Sequence, residues 1–182
     1  MTTMTIEERI PLIEEILDRW RPQLGPDHAG YRNHVYRVAH HCLALHASGV
    51  DEREKVLIAA SFHDLGIWSD DTFDYLAPSA GLARRYLLET RRETWIPEVE
   101  SMIDLHHKIR RHRDAEHPLI EAFRKSDLVD VSLGFIRCGL PKSHVRDLQT
   151  RFPNAGFHKM LVRRASRWFA RHPLNPVPVL KW

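Results

Sequence analysis

Cysteine is scarce: Cys42 and Cys138 are the only two in 182 residues, far apart and in no metal or redox spacing. A disulfide framework is thereby excluded, and two free thiols, buried, are the expectation. No apolar run approaches the roughly 20 residues that a bilayer-spanning helix needs. Alternating apolar and polar runs bounded by turn dipeptides are missing too, which argues against a sheet. Repeats, low-complexity tracts and dividing linkers are absent. Charge of one sign is also lacking: 27 Lys and Arg against 24 Asp and Glu leave +3, with a pI near 9.0. That bias suits an anionic small substrate but is too small and dispersed to argue for nucleic-acid binding. The opening segment up to Trp20 carries Glu7, Glu8, Glu14, Glu15 and Asp18, unlike a secretory leader, so a cytoplasmic protein without membrane contact is expected.

What is present reads as one globular domain over residues 1–182, with 43% hydrophobic and 28% charged residues. The periodicity predicts an all-α bundle. A first helix covers Pro11 to Trp20, with Thr5 and Glu8 in capping-box spacing upstream. A second runs from about Tyr31 to Ala47 and stops at Ser48-Gly49. Asp51 and Glu54 offer a cap for a third, whose apolar run through Phe62 into Gly66 makes it central. An acidic loop follows, then a helix from Pro78 or Ser79 to about Leu88. Pro97 opens a fifth helix in which Val99, Met102, Ile103 and His106 share a face, so His106 points inward. Pro118 opens a sixth, with Leu119, Ala122, Phe123, Ser126 and Asp127 on one stripe. A short helix near Ser143 to Arg151 and a last one through Phe157, Met160, Leu161, Ala165 and Trp168 complete the count. The segment 154–182 is expected to pack back on the bundle, its tail extended and anchored by Leu180 and Trp182.

The composition holds 13 His, which invites a search for metal-ligand geometry. Four residues stand out: His34 in the second helix, His63 and Asp64 at the end of the third, and Asp127 in the sixth. A carboxylate at an apolar helix end is expensive unless a cation or hydrogen-bond donors meet it. Two imidazoles and two carboxylates form a set that leaves room on a divalent ion for water or substrate. Asp130, one turn beyond Asp127, rivals it for the ligand role.

In their order these residues resemble the HD-domain superfamily of metal-dependent phosphohydrolases, whose signature is a His, then His-Asp, then a distant Asp. The matching stretches are His34-Val35-Tyr36-Arg37-Val38-Ala39, then Phe62-His63-Asp64-Leu65-Gly66, then Lys125-Ser126-Asp127-Leu128-Val129-Asp130, within about residues 30 to 135. The resemblance implies a compact helical bundle around one or two divalent ions. It also has departures. Ile67 and Trp68 stand where many members carry a Lys, and Ala77-Pro78-Ser79 lacks the His that binuclear members place there, while His106-His107 resembles their later element. One ion (Mn, Fe, Co, Ni or Zn) is therefore favoured over two.

The expected activity is hydrolysis of a phosphate ester of a small molecule or nucleotide by metal-activated water. Proximity in sequence assigns Asp64, Asp70 and His106 to acid and base work, with Asp71 an alternative to Asp70, and His107, Lys108 and Arg110 to substrate binding. Two other readings stay open: hydration of a small nitrile, as in the cyanamide hydratases that share the fold, and a non-catalytic nucleotide-binding module. His40, His41 and His46 read as exposed or peripheral. Arg111, Arg113, Arg163, Arg164, Arg167 and Arg171 read as solvated faces or helix-end charges. Trp68, Phe73 and Tyr75 read as packing under a loop, Trp168 as a core anchor, and the last helix as a surface that packs on its own bundle or on a second copy.

Overall fold

The computed structural model describes residues 5–175 and 177–181. Eight helices of nine or more residues carry the fold: α1 (Pro11–Arg19), α2 (His28–Leu45), α3 (Val50–Phe62), α4 (Leu76–Glu89), α5 (Ile96–Leu105), α6 (Pro118–Val131), α7 (Lys142–Arg151) and α8 (Phe157–Arg171). The class is all-α, with no strand among the described residues.

Local chemistry explains the boundaries that differ from expectation. α1 does not use the Thr5 and Glu8 cap. Pro11 opens it directly, and the preceding Ile10 N–H is donated to the Tyr36 hydroxyl at 2.8 Å. α3 starts before Asp51, because Glu52 reaches back to accept the Gly49 N–H at 2.8 Å. α4 begins at Leu76, since a proline in the first turn forfeits no intrahelical bond.

α2 and α3 form the centre. α3 buries Val56 to Phe62 without interruption, and α2 packs most extensively against α6, then against α3 and α7. α2 is therefore wrapped on every side. This corrects the reading of His40 and His41 as peripheral, since they are 3% and 1% exposed. His40 Nε2 lies 3.0 Å from the Glu7 carbonyl, and the His41 ring lies beside that of His144. His46, at the end of α2, is only half-buried.

One glycine is dictated by close approach. A Cβ on Gly66 would sit 2.6 Å from the Tyr75 carbonyl and 3.0 Å from the Ser79 amide, and the Gly66 N–H is donated to Ser79 Oγ at 2.9 Å. Only glycine lets the start of α4 lie against the turn that carries His63 and Asp64.

α8 buries only Phe157 and Met160. Behind it the tail turns at 173–174 and 178–179 instead of running extended. Its anchor is Val179, 4% exposed, and not Leu180, 46% exposed; the predicted anchor Trp182 lies outside the described residues. The Lys181 carbonyl accepts the Ile109 N–H at 2.8 Å. Trp168 is half-buried: it stacks on His172 and donates to the Asn175 carbonyl, so it pins the tail to α8 and does not enter the core. Cys42 is buried and Cys138 half-buried. No helix among the described residues is long and apolar enough to cross a membrane.

Candidate metal centre

α2, the end of α3, the end of α5 and α6 bring His34, His63, Asp64, His106 and Asp127 to one point, each 3% exposed or less. His34 Nε2 lies 2.9 Å from His63 Nε2, 3.4 Å from Asp64 Oδ2 and 3.6 Å from Asp127 Oδ1. His63 Nε2 lies 3.5 Å from Asp64 Oδ2 and 3.8 Å from Asp127 Oδ1. On the other side of Asp64, His106 Nε2 is 3.4 Å from Oδ1. Asp64 thus joins two groupings of possible ligands, His34 with His63 and His106 with His107.

Hydrogen bonds on the outer ring nitrogens fix which way each imidazole presents itself. His34 Nδ1–H is donated to Asp130 Oδ2 at 2.6 Å, His63 Nδ1–H to the Ala60 carbonyl at 2.8 Å, and His106 Nδ1–H to the Ile103 carbonyl at 2.6 Å. Since those partners only accept, the neutral form of each imidazole turns an Nε2 lone pair inward, toward two carboxylates that also only accept. Asp64 Oδ1, Asp127 Oδ1 and His106 Nε2 are buried without any hydrogen-bond partner. Acceptors facing acceptors is the arrangement a cation resolves. Ligands about 2.1 Å from one ion stand about 3.0 to 3.4 Å apart, close to the spacing seen here. The donor set therefore fits a divalent ion.

The electrostatics agree. Burial alone would lower His34, yet the Asp130 and Asp64 carboxylates hold it up at about 9, and His106 is raised against its burial by Asp64 and Asp127. Burial alone would raise Asp64 and Asp127, yet both sit below the usual carboxylate range because imidazoles face them from several helices. The field of this cavity favours a positive charge.

Asp130 occupies a different place from Asp127. It takes the outer nitrogen of His34 and is clamped by Arg37, whose Nε and NH2 groups reach Oδ1 and, at 2.9 Å, Oδ2. The third arm of the fork, Arg37 NH1, is donated to the Phe152 carbonyl at 2.7 Å. Phe157 stacks on the His34 ring at 4.1 Å. The sequence gives no role to Arg37 or Phe157, and it reads Tyr75 as packing under a loop where the structure sets its hydroxyl against His107. Tyr75, 2% exposed, sets its hydroxyl 2.7 Å from His107 Nε2, while His107 Nδ1 is 3.5 Å from Asp127 Oδ2. Burial and the neighbouring His106 lower His107 to about 4.

The remaining expected site residues are not brought to this point. Asp70 is exposed and accepts the Ser69 hydroxyl at 2.6 Å; Asp71 pairs with Arg164, which is thereby not merely solvated. Lys108 and Arg110 follow the end of α5, where the chain turns toward the tail and Lys108 bridges to Lys181. Among the described residues no hydrogen bond or ion pair ties either side chain to the cluster. No family model, curated protein or solved structure matches the chain significantly.

Proposed function

We propose that the chain is a metal-dependent hydrolase of the HD-domain type acting on a phosphate ester of a small molecule or nucleotide. One observation carries the reading: the outer hydrogen bonds of His34, His63 and His106 leave each neutral imidazole with an inward Nε2 lone pair, and His106 Nε2, Asp64 Oδ1 and Asp127 Oδ1 are buried with no hydrogen-bond partner. The order of His34, His63-Asp64 and Asp127 is the order of the HD signature, and His106 lies between its second and third parts. His34, His63, Asp64 and Asp127 would hold the ion, which supplies Lewis acidity and water able to attack near neutral pH.

Within this reading the chain's own residues divide the remaining work. His106 Nε2 accepts the proton of the attacking water, and Asp64 Oδ1, 3.4 Å away, steadies the imidazolium that results. His107, whose side chain is 20% exposed, is the member of the group nearest solvent, so substrate enters beside it. Tyr75 and Asp127 hold its ring from either side.

Elemental analysis of protein purified without added metal or chelator tests the first step, run beside Asp64→Ala with circular dichroism confirming both folds. One ion per chain, lost in the variant, is expected. Metal-free protein that stays so after exposure to Mn, Fe, Co, Ni and Zn would overturn the assignment. A panel of phosphate esters, nucleotides and cyanamide tests the second step. Turnover of esters is expected; turnover of cyanamide alone would move the reading to hydration, and nucleotide binding without product would move it to a regulatory module.

A further inference from the structure

A cavity of about 540 Å³ opens between the end of α2, the 110–117 connection and the first half of α6, and no residue that lines it belongs to the metal cluster. Its volume lies in the range of small-molecule sites, about 300 to 1,000 Å³. Leu45, Pro118 and Ala122 give it an apolar part of its lining, and Arg111, Arg113 and Lys125 a cationic part.

The charges of this lining do not cancel. Both carboxylates that line the cavity are engaged. Glu121 is gripped by Arg124 through Nε at 2.8 Å and NH2 at 2.9 Å and also accepts the His112 N–H. Asp114 accepts from the Glu116 amide and from His117 Nδ1 at 3.0 Å. Arg111 and Arg113 have no ion pair among the described residues, and Lys125 reaches only to 3.9 Å from the already paired Glu121. Two guanidinium forks without an ion pair among the described residues and an ammonium, beside apolar lining, match a group with several negative oxygens on a compact organic body. The first turn of α6, at Pro118, adds the positive end of its helix dipole.

We propose that this cavity binds a phosphorylated small molecule, at a site separate from the metal centre. The two are built on the same elements. α6 lends Ala122 and Lys125 to the cavity and Asp127 and Asp130 to the centre. The connection after α5 begins at His106-His107 and ends at the cavity, and Arg124 braces it by donating to the Lys108 carbonyl at 3.1 Å.

Calorimetric titration of the metal-stripped full chain with ADP, with pyrophosphate as competitor and adenosine as the uncharged control, tests the proposal. ADP is expected to bind with one site per chain and to weaken as salt rises; pyrophosphate displaces it and adenosine does not bind. Arg111→Ala/Arg113→Ala, at exposed positions that leave the fold intact by circular dichroism, is expected to weaken ADP at least tenfold. Asp127→Asn is expected to bind ADP as the parent does. Full binding by the double variant, loss of binding in Asp127→Asn, or no binding of either ADP or pyrophosphate at millimolar concentration would each overturn the proposal. Because the metal is removed beforehand, none of these results depends on the hydrolase reading.

Discussion

Arg37 and Asp130 are 3% and 2% exposed in their side chains, so cutting either partner strands the other charge in the core. Asp130→Leu leaves the guanidinium with backbone carbonyls as its only partners, chiefly Phe152 O at 2.7 Å. Arg37→Met leaves the carboxylate with His34 as its remaining charged partner. Each single substitution is expected to cost about 3 to 5 kcal/mol, a large share of the roughly 5 to 15 kcal/mol that holds a domain folded. Independent effects would sum to about 6 to 10 kcal/mol. The double variant is expected instead to lose no more than the worse single one, because its second change removes a charge already stranded. What then remains unpaired is His34 Nδ1 and the Phe152 carbonyl, at about 1 to 3 kcal/mol each. Urea unfolding at pH 7, followed by circular dichroism, reads these values; with a slope of about 2 kcal/mol per molar, each single midpoint falls by about 2 M. Additive losses would refute the buried pair. The same Asp130→Leu protein is expected to bind metal about 10 to 100 times more weakly, since His34 loses the acceptor that orients it.

Gly66→Ala is expected to destabilise by about 1 to 3 kcal/mol, because the new methyl meets the Tyr75 carbonyl; an unchanged melting temperature would contradict the close approach. Stability is expected to fall on acidification: burial lowers His41 to about 3 and lowers His40, His144 and His158 as well. At these four sites the folded form binds fewer protons than the unfolded one, so their contribution is whole above about pH 6.5 and declines below it, for His41 by about 1.4 kcal/mol per pH unit down to pH 5, whereas His34, held up at about 9, contributes in the opposite sense between pH 6.5 and 9. Melting curves from pH 8 to 5 check this, and His41→Gln should make the slope shallower by one proton. Tyr75→Phe removes one hydroxyl from His107 and is expected to cost about 1 kcal/mol of stability while lowering turnover; a loss above 3 kcal/mol would show that the hydroxyl serves the fold.

The helices were legible because each long helix keeps an apolar stripe and several open on a proline, as at Pro11 and Pro118. His34, His63, Asp64 and Asp127 were legible for another reason: polar residues on apolar faces demand a partner, and their order supplied one. What escaped was long-range. Asp130 read as a rival ligand, since on α6 it stands one turn from Asp127, and only its distance of 2.6 Å to the outer nitrogen of His34 separates the two roles. His40 and His41 read as peripheral because the Glu7 segment and α7 that cover them lie far away in the chain. Lys108 and Arg110 were placed by nearness in sequence to His106, which loses its meaning where α5 ends at Leu105.

A polar cluster that serves only to hold helices together alternates donors with acceptors, and this one does not. Three imidazoles spend their Nδ1 hydrogens outward, and Asp64 Oδ1 and Asp127 Oδ1 find no donor inside. Folding this arrangement without a cation keeps acceptor groups together in a buried cluster, so cation binding and folding are linked. Metal at about 100 times its dissociation constant should stabilise the parent by about 2.7 kcal/mol, and stripping it should lower the melting temperature accordingly. Asp127→Asn gives the cavity an amide donor while weakening its hold on a cation. The variant is expected to gain little from added metal and, once both proteins are stripped, to be no less stable than the parent. A stripped variant clearly less stable than the stripped parent would mean that the cluster satisfies itself through internal hydrogen bonds, and the case for a metal would fall with it.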